Sequence, residues 1–465
     1  MSAVRTEYDS FGGIVVPARA YWGAATQRSI ANFPFPQNER MPLPIIYGLA
    51  HIKRAAALVH KDLGAMDGDI AAAIIAAADA ILAGQYDDQF PLTIWQTGSG
   101  TQTNMNVNEV IAGIANEVIT GTRGGKSPVH PNDHVNRGQS SNDSFPTAIH
   151  IAVAIETHQR LVPALIRLTD ALAAKVDTWA HIIKIGRTHM QDAVPMTLGQ
   201  EFSGYVAALI ANRARIEGAV LHNVQKLAQG GTAVGTGINA PPGFGAHMAR
   251  ELSEQCVIPF EPARNLFEAL ASNDGLAAFS GVLNTLAVSL NKIASDIRLL
   301  GSGPRAGLGE LTLPANEPGS SIMPGKVNPT QCEMMTMIAA QVIGNHQAVT
   351  IGAMQGQLEL NTFKPMIGAN VLRSIDLLSI GMATFATHCI DGLEPNPARI
   401  ADYVERSLML VTALAPVIGY DAATAIAKKA HAEGTTLRQA ALALGAIDAA
   451  MFDQLVDPAK MLGTP

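Results

Sequence analysis

The feature that most constrains this chain is a set of five long segments with few helix breakers, at about 143 to 178, 198 to 229, 266 to 300, 329 to 352 and 364 to 391. Each is far longer than the mean globular helix of about 11 to 12 residues. Apolar residues recur on more than one face and small residues are frequent, as in "FSGYVAALIANRARIEGAV". Helices of that kind are buried on several sides and approach one another closely, which predicts a bundle. Asn142 and Asp143 suit an N-cap for the first segment, Pro146 is tolerable in a first turn, and Pro163 should kink it.

Upstream, turn-forming residues crowd 1 to 45 and 118 to 145, around helical periodicity at 45 to 85 and 105 to 119. Downstream, "GLEPNPARI" supplies one glycine and two prolines, a stop signal, before shorter helices separated by glycines. The expected organisation is a mixed, mainly helical domain at 1–141, a long-helix bundle domain at 142–395 and a small helical domain at 396–465.

Hydrophobic residues make up 48% of the chain and charged residues only 15%, too few polar side chains to cover a monomer of this length. Burial between subunits is the natural outcome. A net charge of −7 without a lysine or arginine run argues against nucleic acid and anionic membrane as partners. Cys256, Cys332 and Cys389 are odd in number and widely spaced, which suits a reducing cytoplasm better than a disulfide framework or a zinc site. The opening "MSAVRTEYDSFGG" lacks the apolar core of a signal peptide, and no stretch reaches the roughly 18 uncharged apolar residues of a membrane span.

Several loops imitate cofactor sites. "TGTRGGKS" has Thr120 where a P-loop needs its first glycine, and "GSSIMPGKVNP" has Val327 where a magnesium-binding hydroxyl is required. "GGTAVGTG" reads as following a helix instead of the strand a dinucleotide site needs. "HPNDH" could gather His130, Asp133 and His134 about a metal, but Pro131 spoils the register and no further ligand stands nearby, so a polar turn that binds an anion is preferred.

Four polar clusters then stand out: "TGSGTQTNMNVNE" (97 to 109), "QSSND" (139 to 143), "GRTHMQD" (186 to 192) and "PGSSIMPGKVNPTQCE" (318 to 333). Singly, each also reads as an ordinary cap, turn or structural histidine. Together they supply many hydroxyls and amides, one histidine and one lysine, with only one carboxylate in each cluster. That inventory suits a ligand that is itself a carboxylate, held by neutral donors, one cation and helix N-terminal N–H groups. Glu333 falls in the first turn of a helix and is placed to orient a histidine.

These clusters resemble the motifs of the fumarase and aspartase superfamily, and the likeness runs from "AYWGAATQRS" through "HPNDHVN", "QSSNDSFPTA", "GRTHMQDAVPMTLGQEF", "GGTAVGTG" and "NTFKPM" to "GYDAATAIAKKAHAEGTTLRQAALALG". Within it the chain is most similar to class II fumarases, because His189 stands where aspartases usually carry glutamine and "NPTQCE" has the fumarase continuation. Gly138 and Ala415 depart from the common serine and asparagine.

The resemblance implies a mainly α, three-domain subunit whose central five-helix bundle builds a homotetramer with active sites shared among three subunits. It implies reversible hydration of fumarate to (S)-malate through an aci-carboxylate, with neither metal nor cofactor. By the same resemblance Ser320 is the carbon base, His189 the acid on the departing hydroxyl, and Glu333 its orienting partner. Lys326 and Asn328 would hold the carboxylate that gains charge. Thr101, Ser140, Ser141, Asn142 and Thr188 would hold the other end of the substrate, Ser99 would line the pocket, and Ser321 would bind substrate. His130, Pro131, Asn132 and Asp133 match a second dicarboxylate site. A water activated by His189 is an alternative carbon base. The alternative functions are an aspartate ammonia-lyase of the same fold and a non-catalytic structural protein.

Overall fold

In the computed structural model, which describes residues 3–463, the chain opens with an antiparallel hairpin of β1 (Val4–Asp9) and β2 (Gly12–Pro17). Helices α1 (Ala24–Asn32), α2 (Leu43–Asp62), α3 (Gly68–Leu82) and α4 (Thr101–Thr120) follow. Next come α5 (Ser141–Glu156) and α6 (Val162–Thr178), joined by a wide π-type turn at Thr157–Leu161. β3 (Ile183–Thr188) and β4 (Gln191–Thr197) form a second hairpin before α7 (Leu198–Ala219). β5 (Lys226–Leu227) pairs in parallel with β6 (Glu261–Pro262), and α8 (Phe244–Cys256) lies between them in sequence.

Helices α9 (Leu266–Ala271), α10 (Asp274–Leu300), α11 (Thr330–Ala353) and α12 (Lys364–Phe385) complete the long-helix set. β7 (Leu311–Thr312) and β8 (Glu394–Pro395) form a short antiparallel pair. The last helices are α13 (Pro397–Arg406), α14 (Ala415–Ile418), α15 (Tyr420–Glu433), α16 (Leu437–Ala443) and α17 (Ala449–Leu455).

The five long segments are largely helical, with local differences: the second ends by Val224, and its last residues form β5 instead of helix. The wide turn ends two residues before Pro163, whose missing N–H removes a regular helical bond. The first segment is capped by Ser140, two or three residues earlier than expected: Ser140 Oγ accepts from the Asn142 N–H at 3.2 Å, and the Asp143 carboxylate accepts from the Ser140 N–H at 2.9 Å. This reciprocal cap holds the helix start. The third segment breaks at Ser272, which is extended (ψ 162°) and accepts from the Asp274 N–H through its hydroxyl. "GGTAVGTG" follows the two-residue strand β5, contrary to expectation, yet the next helix, α8, starts only at Phe244.

The chain divides into two compact units. The first comprises residues up to Pro163, Asn212–Ala287 and Ile338–Ser379; the second comprises Ala164–Ala211, Val288–Met337 and the chain from Ile380 on. In the first, α2 packs on α3, α5 and α8 and buries Ile45, Leu49 and Ile52 completely. A Cβ at Gly48 would stand 2.4 Å from the Ala148 carbonyl oxygen, so only glycine lets α2 lie this close to α5. In the second, Ile185 of β3 joins Leu410, Leu414, Ile426, Leu437 and Phe452 in an apolar cluster.

Two helical spans, Asp274–Leu300 and Lys364–Ile390, are long and apolar enough to cross a membrane by length and composition, with 44% and 56% of their most apolar windows buried. Both carry charges, among them Asp296 and Arg298, and Arg373 and Asp376. Core helices of a bundle pass the same test.

Candidate functional site

In the first unit, the starts of α4 and α5 bring together the residues expected at one end of a dicarboxylate. Gly100 caps α4 in a left-handed conformation (φ 74°), and the hydroxyls of Ser99 and Thr101 lie 2.8 Å apart across it. Asn104, one turn into α4, donates from Nδ2 to Ser141 Oγ at 3.3 Å. Asn142 turns aside, and its Nδ2 donates to the Ala233 carbonyl at 2.8 Å. Ser99, Thr101, Ser140 and Ser141 thus meet at two helix starts, where free N–H groups favour an anion.

Beneath them lie two buried ionisable groups that the sequence pattern hides. Lys53 of α2 is fully buried, and its Nζ donates to Asn136 Oδ1 and Gln139 Oε1, both at 2.9 Å. Burial pushes its pKa down to about 7, against the pull of the Asp143 charge. Burial pushes Asp143 up to about 6, opposed by N–H groups from Ser140, Thr232 and Gly230 and by Lys53. Asp143 therefore also ties "GGTAVGTG" to the start of α5, accepting from Gly230 N at 3.0 Å and Thr232 N at 2.9 Å. Periodicity marks Lys53 only as one more helical position, so its burial could not be read from the sequence.

The second unit holds the other expected residues in two places. Thr188 and His189 sit at the exposed tip of the β3–β4 hairpin, where His189 and Met190 have positive φ (55° and 62°). Ser320, Ser321, Lys326 and Asn328 sit in the loop before α11. Ser320 Oγ accepts from the N–H groups of Ile322 (3.2 Å) and Met323 (3.0 Å). The Gly319 N–H donates to the Lys326 carbonyl at 3.0 Å, and the Asn328 amide donates to the Gly319 carbonyl. A Cβ at Gly319 would stand 2.2 Å from the Lys326 oxygen, so the loop closes only with glycine there.

The Lys326 ammonium has no ion-pair partner among the described residues. Glu333, in the first turn of α11, pairs with Arg298 at 3.5 Å. Among the described residues no hydrogen bond or ion pair joins Glu333 to His189, or the hairpin tip to the serine loop.

The "HPND" stretch forms a π-type turn in which His130 Nδ1 accepts from the N–H groups of Asn132 and Asp133, both at 3.1 Å. The same nitrogen lies 3.5 Å from Asp133 Oδ2. No group of three or more His, Cys, Asp or Glu side chains is placed to hold a metal ion among the described residues.

Comparison with known proteins agrees with this architecture. Residues 12–344 match the family described as Lyase, and residues 410–463 match the fumarase C C-terminus. The chain is 60% identical over 462 residues to the class II fumarate hydratase of Brucella suis, covering 99% of each chain. It is 59% identical over 459 residues to that of Thermosynechococcus vestitus, covering 99% of this chain and 98% of the relative. The crystal structure of recombinant class II fumarase from Schistosoma mansoni superposes with a TM-score of 0.96 at 46% identity, covering 99% of both chains. The chain belongs to the lyase family and, within it, to the class II fumarases.

Proposed function

We propose that this chain is an enzyme that interconverts fumarate and (S)-malate. The observation that carries the mechanism is Ser320 Oγ receiving two backbone N–H groups in the loop that also bears the unpaired Lys326. Removing a proton from carbon beside a carboxylate makes an aci-carboxylate with an additional negative charge, so a catalyst must favour that state over bound malate. Lys326, Asn328 and the N–H groups at the start of α11 would take up that charge. The two N–H groups at Ser320 lower the cost of an alkoxide there, which a serine needs to act as a carbon base. His189 would protonate the departing hydroxyl, oriented by Glu333. Ser321 and Thr188 would contact substrate, while Ser99, Thr101, Ser140 and Ser141 would hold its second carboxylate, with Asn142 joining them once its amide leaves the Ala233 carbonyl. We take catalysis to run on these side chains without a metal. Unchanged activity after dialysis against a strong chelator tests that.

We further propose the three-domain division given by the sequence, a cytoplasmic enzyme with three free thiols, and a homotetramer built on the long helices. Large apolar side chains stand exposed along those helices in the single chain: Ile210 (57%), Val288 (54%), Met337 (67%), Ile351 (55%) and Ile380 (54%). Such faces are expected to be covered by other copies. The hairpin tip and serine loop, not joined within one chain, would then meet across subunits. We keep the His130–Asp133 turn as a proposed second dicarboxylate site without a part in turnover, because His130 already occupies two of its N–H donors.

Fumarate absorbs in the ultraviolet, so malate and aspartate are compared directly as substrates. Turnover of malate is expected; fumarate formed from aspartate alone would sink the assignment. Shared sites are tested by refolding Ser320→Ala and His189→Asn chains together. Randomly mixed tetramers would restore about a quarter of the sites. Mixtures as inactive as each variant alone would refute sharing.

A further inference from the structure

The hairpin that carries His189 has an irregular register between Ile185 and Arg187. In a regular strand Lys184 and Arg187, three residues apart, face opposite sides. The irregularity at Gly186 lets both reach one carboxylate. Glu310, completely buried, places Oε1 2.7 Å from Arg187 Nη2 and Oε2 3.0 Å from Lys184 Nζ. Lys184, itself 1% exposed, makes a second ion pair with Glu201 at 2.7 Å. The Arg187 guanidinium lies 5.4 Å over the Tyr403 ring, and its Nη1 is buried without a hydrogen-bond partner. Buried ion clusters of this kind add little net stability, because desolvation offsets attraction. They do fix geometry.

Geometry is what the next residues need. Two residues beyond Arg187, His189 holds a left-handed conformation that a non-glycine residue keeps only when its surroundings over-determine it, and Met190 shares that conformation. We propose that Glu310 is the positioning residue for His189, acting through Arg187 to hold the hairpin tip at the angle from which the imidazole meets substrate. This rests on the reading of His189 as the acid of a shared site. In Glu310→Gln, Arg187 is left buried without its counter-charge and is drawn towards water, taking the adjoining Thr188 and His189 with it.

The test uses the co-refolding pair, because a positioning role is asymmetric there. The Ser320→Ala chain supplies His189, and the His189→Asn chain supplies Ser320. Adding Glu310→Gln to the histidine-supplying chain is expected to lower restored activity at least tenfold; adding it to the serine-supplying chain should change it less than twofold. Equal loss from either chain would mean general damage to the fold, and no loss from either would mean no role; both overturn the proposal. If the parent pair restores nothing while the wild type turns over malate, sharing has failed, and homotetrameric Glu310→Gln decides. A tenfold fall in kcat at nearly constant KM supports positioning, whereas a change in KM alone, or none, overturns it. Should Glu310→Gln not fold, Arg187→Lys, which keeps the charge and loses the guanidinium that meets Glu310 and lies over the Tyr403 ring, is expected to show the same asymmetry, and its absence overturns the proposal.

Discussion

Asn104 Nδ2 stands 3.3 Å from Ser141 Oγ, and this contact fixes the first turn of α4 against that of α5. The same amide donates to Asn136 Oδ1 at 3.1 Å, an oxygen that also receives Lys53 Nζ at 2.9 Å and Asn108 Nδ2 at 3.2 Å. One asparagine oxygen thus gathers α2 and α4 at the turn leading into α5. Asn104→Ala removes the strut without touching the serine loop. A hydrogen bond of this kind contributes about 1 kcal/mol, so KM for malate should rise about fivefold with a smaller change in kcat. A fall confined to kcat would show that the strut does not act through binding.

Lys326 is the one cation in the loop that bears Ser320, and it has no carboxylate partner among the described residues. Its charge would therefore be available to the proposed aci-carboxylate. Lys326→Ala is expected to lower kcat by about a hundredfold or more, the usual loss for a transition-state donor. Steady-state kinetics on malate and fumarate check this in both directions. Near-normal turnover would remove Lys326 from the carboxylate site.

The long helices were legible because breakers and periodicity are local properties of the chain. α11 spans Thr330–Ala353 against an expected 329 to 352, and α12 with its final wide turn spans Lys364–Ile390 against 364 to 391. The break at Ser272 was missed although Asn273, Asp274 and Gly275 beside it are turn-forming residues, because the apolar pattern resumes at once on either side. In the site, the polar clusters at 97 to 109 and 139 to 143 could be read as ligand-binding because hydroxyls and amides were dense there. Lys53 and Glu310 could not: each sits among ordinary residues, and only long-range packing buries it. Glu333 shows the same limit, since its partner in the single chain is Arg298.

Gly100 combines two requirements that substitution can separate. Its φ is 74°, and a Cβ there would lie 2.3 Å from the Phe145 ring. Gly121, at the other end of α4, has nearly the same φ of 72° but nothing within 4 Å of an added Cβ. Gly121→Ala should therefore cost only the left-handed backbone penalty, roughly 1–2 kcal/mol. Gly100→Ala should cost about 1–3 kcal/mol more from overpacking, and should raise KM by displacing Ser99 and Thr101. Equal melting shifts with unchanged KM in both would show that Phe145 yields freely.

His150 couples the first unit to pH. It is half-buried on α5, with Nδ1 2.9 Å from the Val224 carbonyl, and desolvation pushes its pKa down to about 4. The unfolded chain holds its histidines near 6.5, so between that value and about 4 the unfolded state binds the proton and the folded state does not. Folding stability from this group is complete above 6.5 and falls as pH drops through the window, by about 1.4 kcal/mol per unit and about 3 kcal/mol in all. His150→Gln keeps a donor for Val224 and cannot titrate. Urea unfolding at pH 6.5 and 4.5, at one fixed protein concentration, should show the wild type losing about 2–3 kcal/mol more than the variant. Parallel losses in the two proteins would mean that His150 is protonated in the folded state, and would remove it as a source of acid sensitivity.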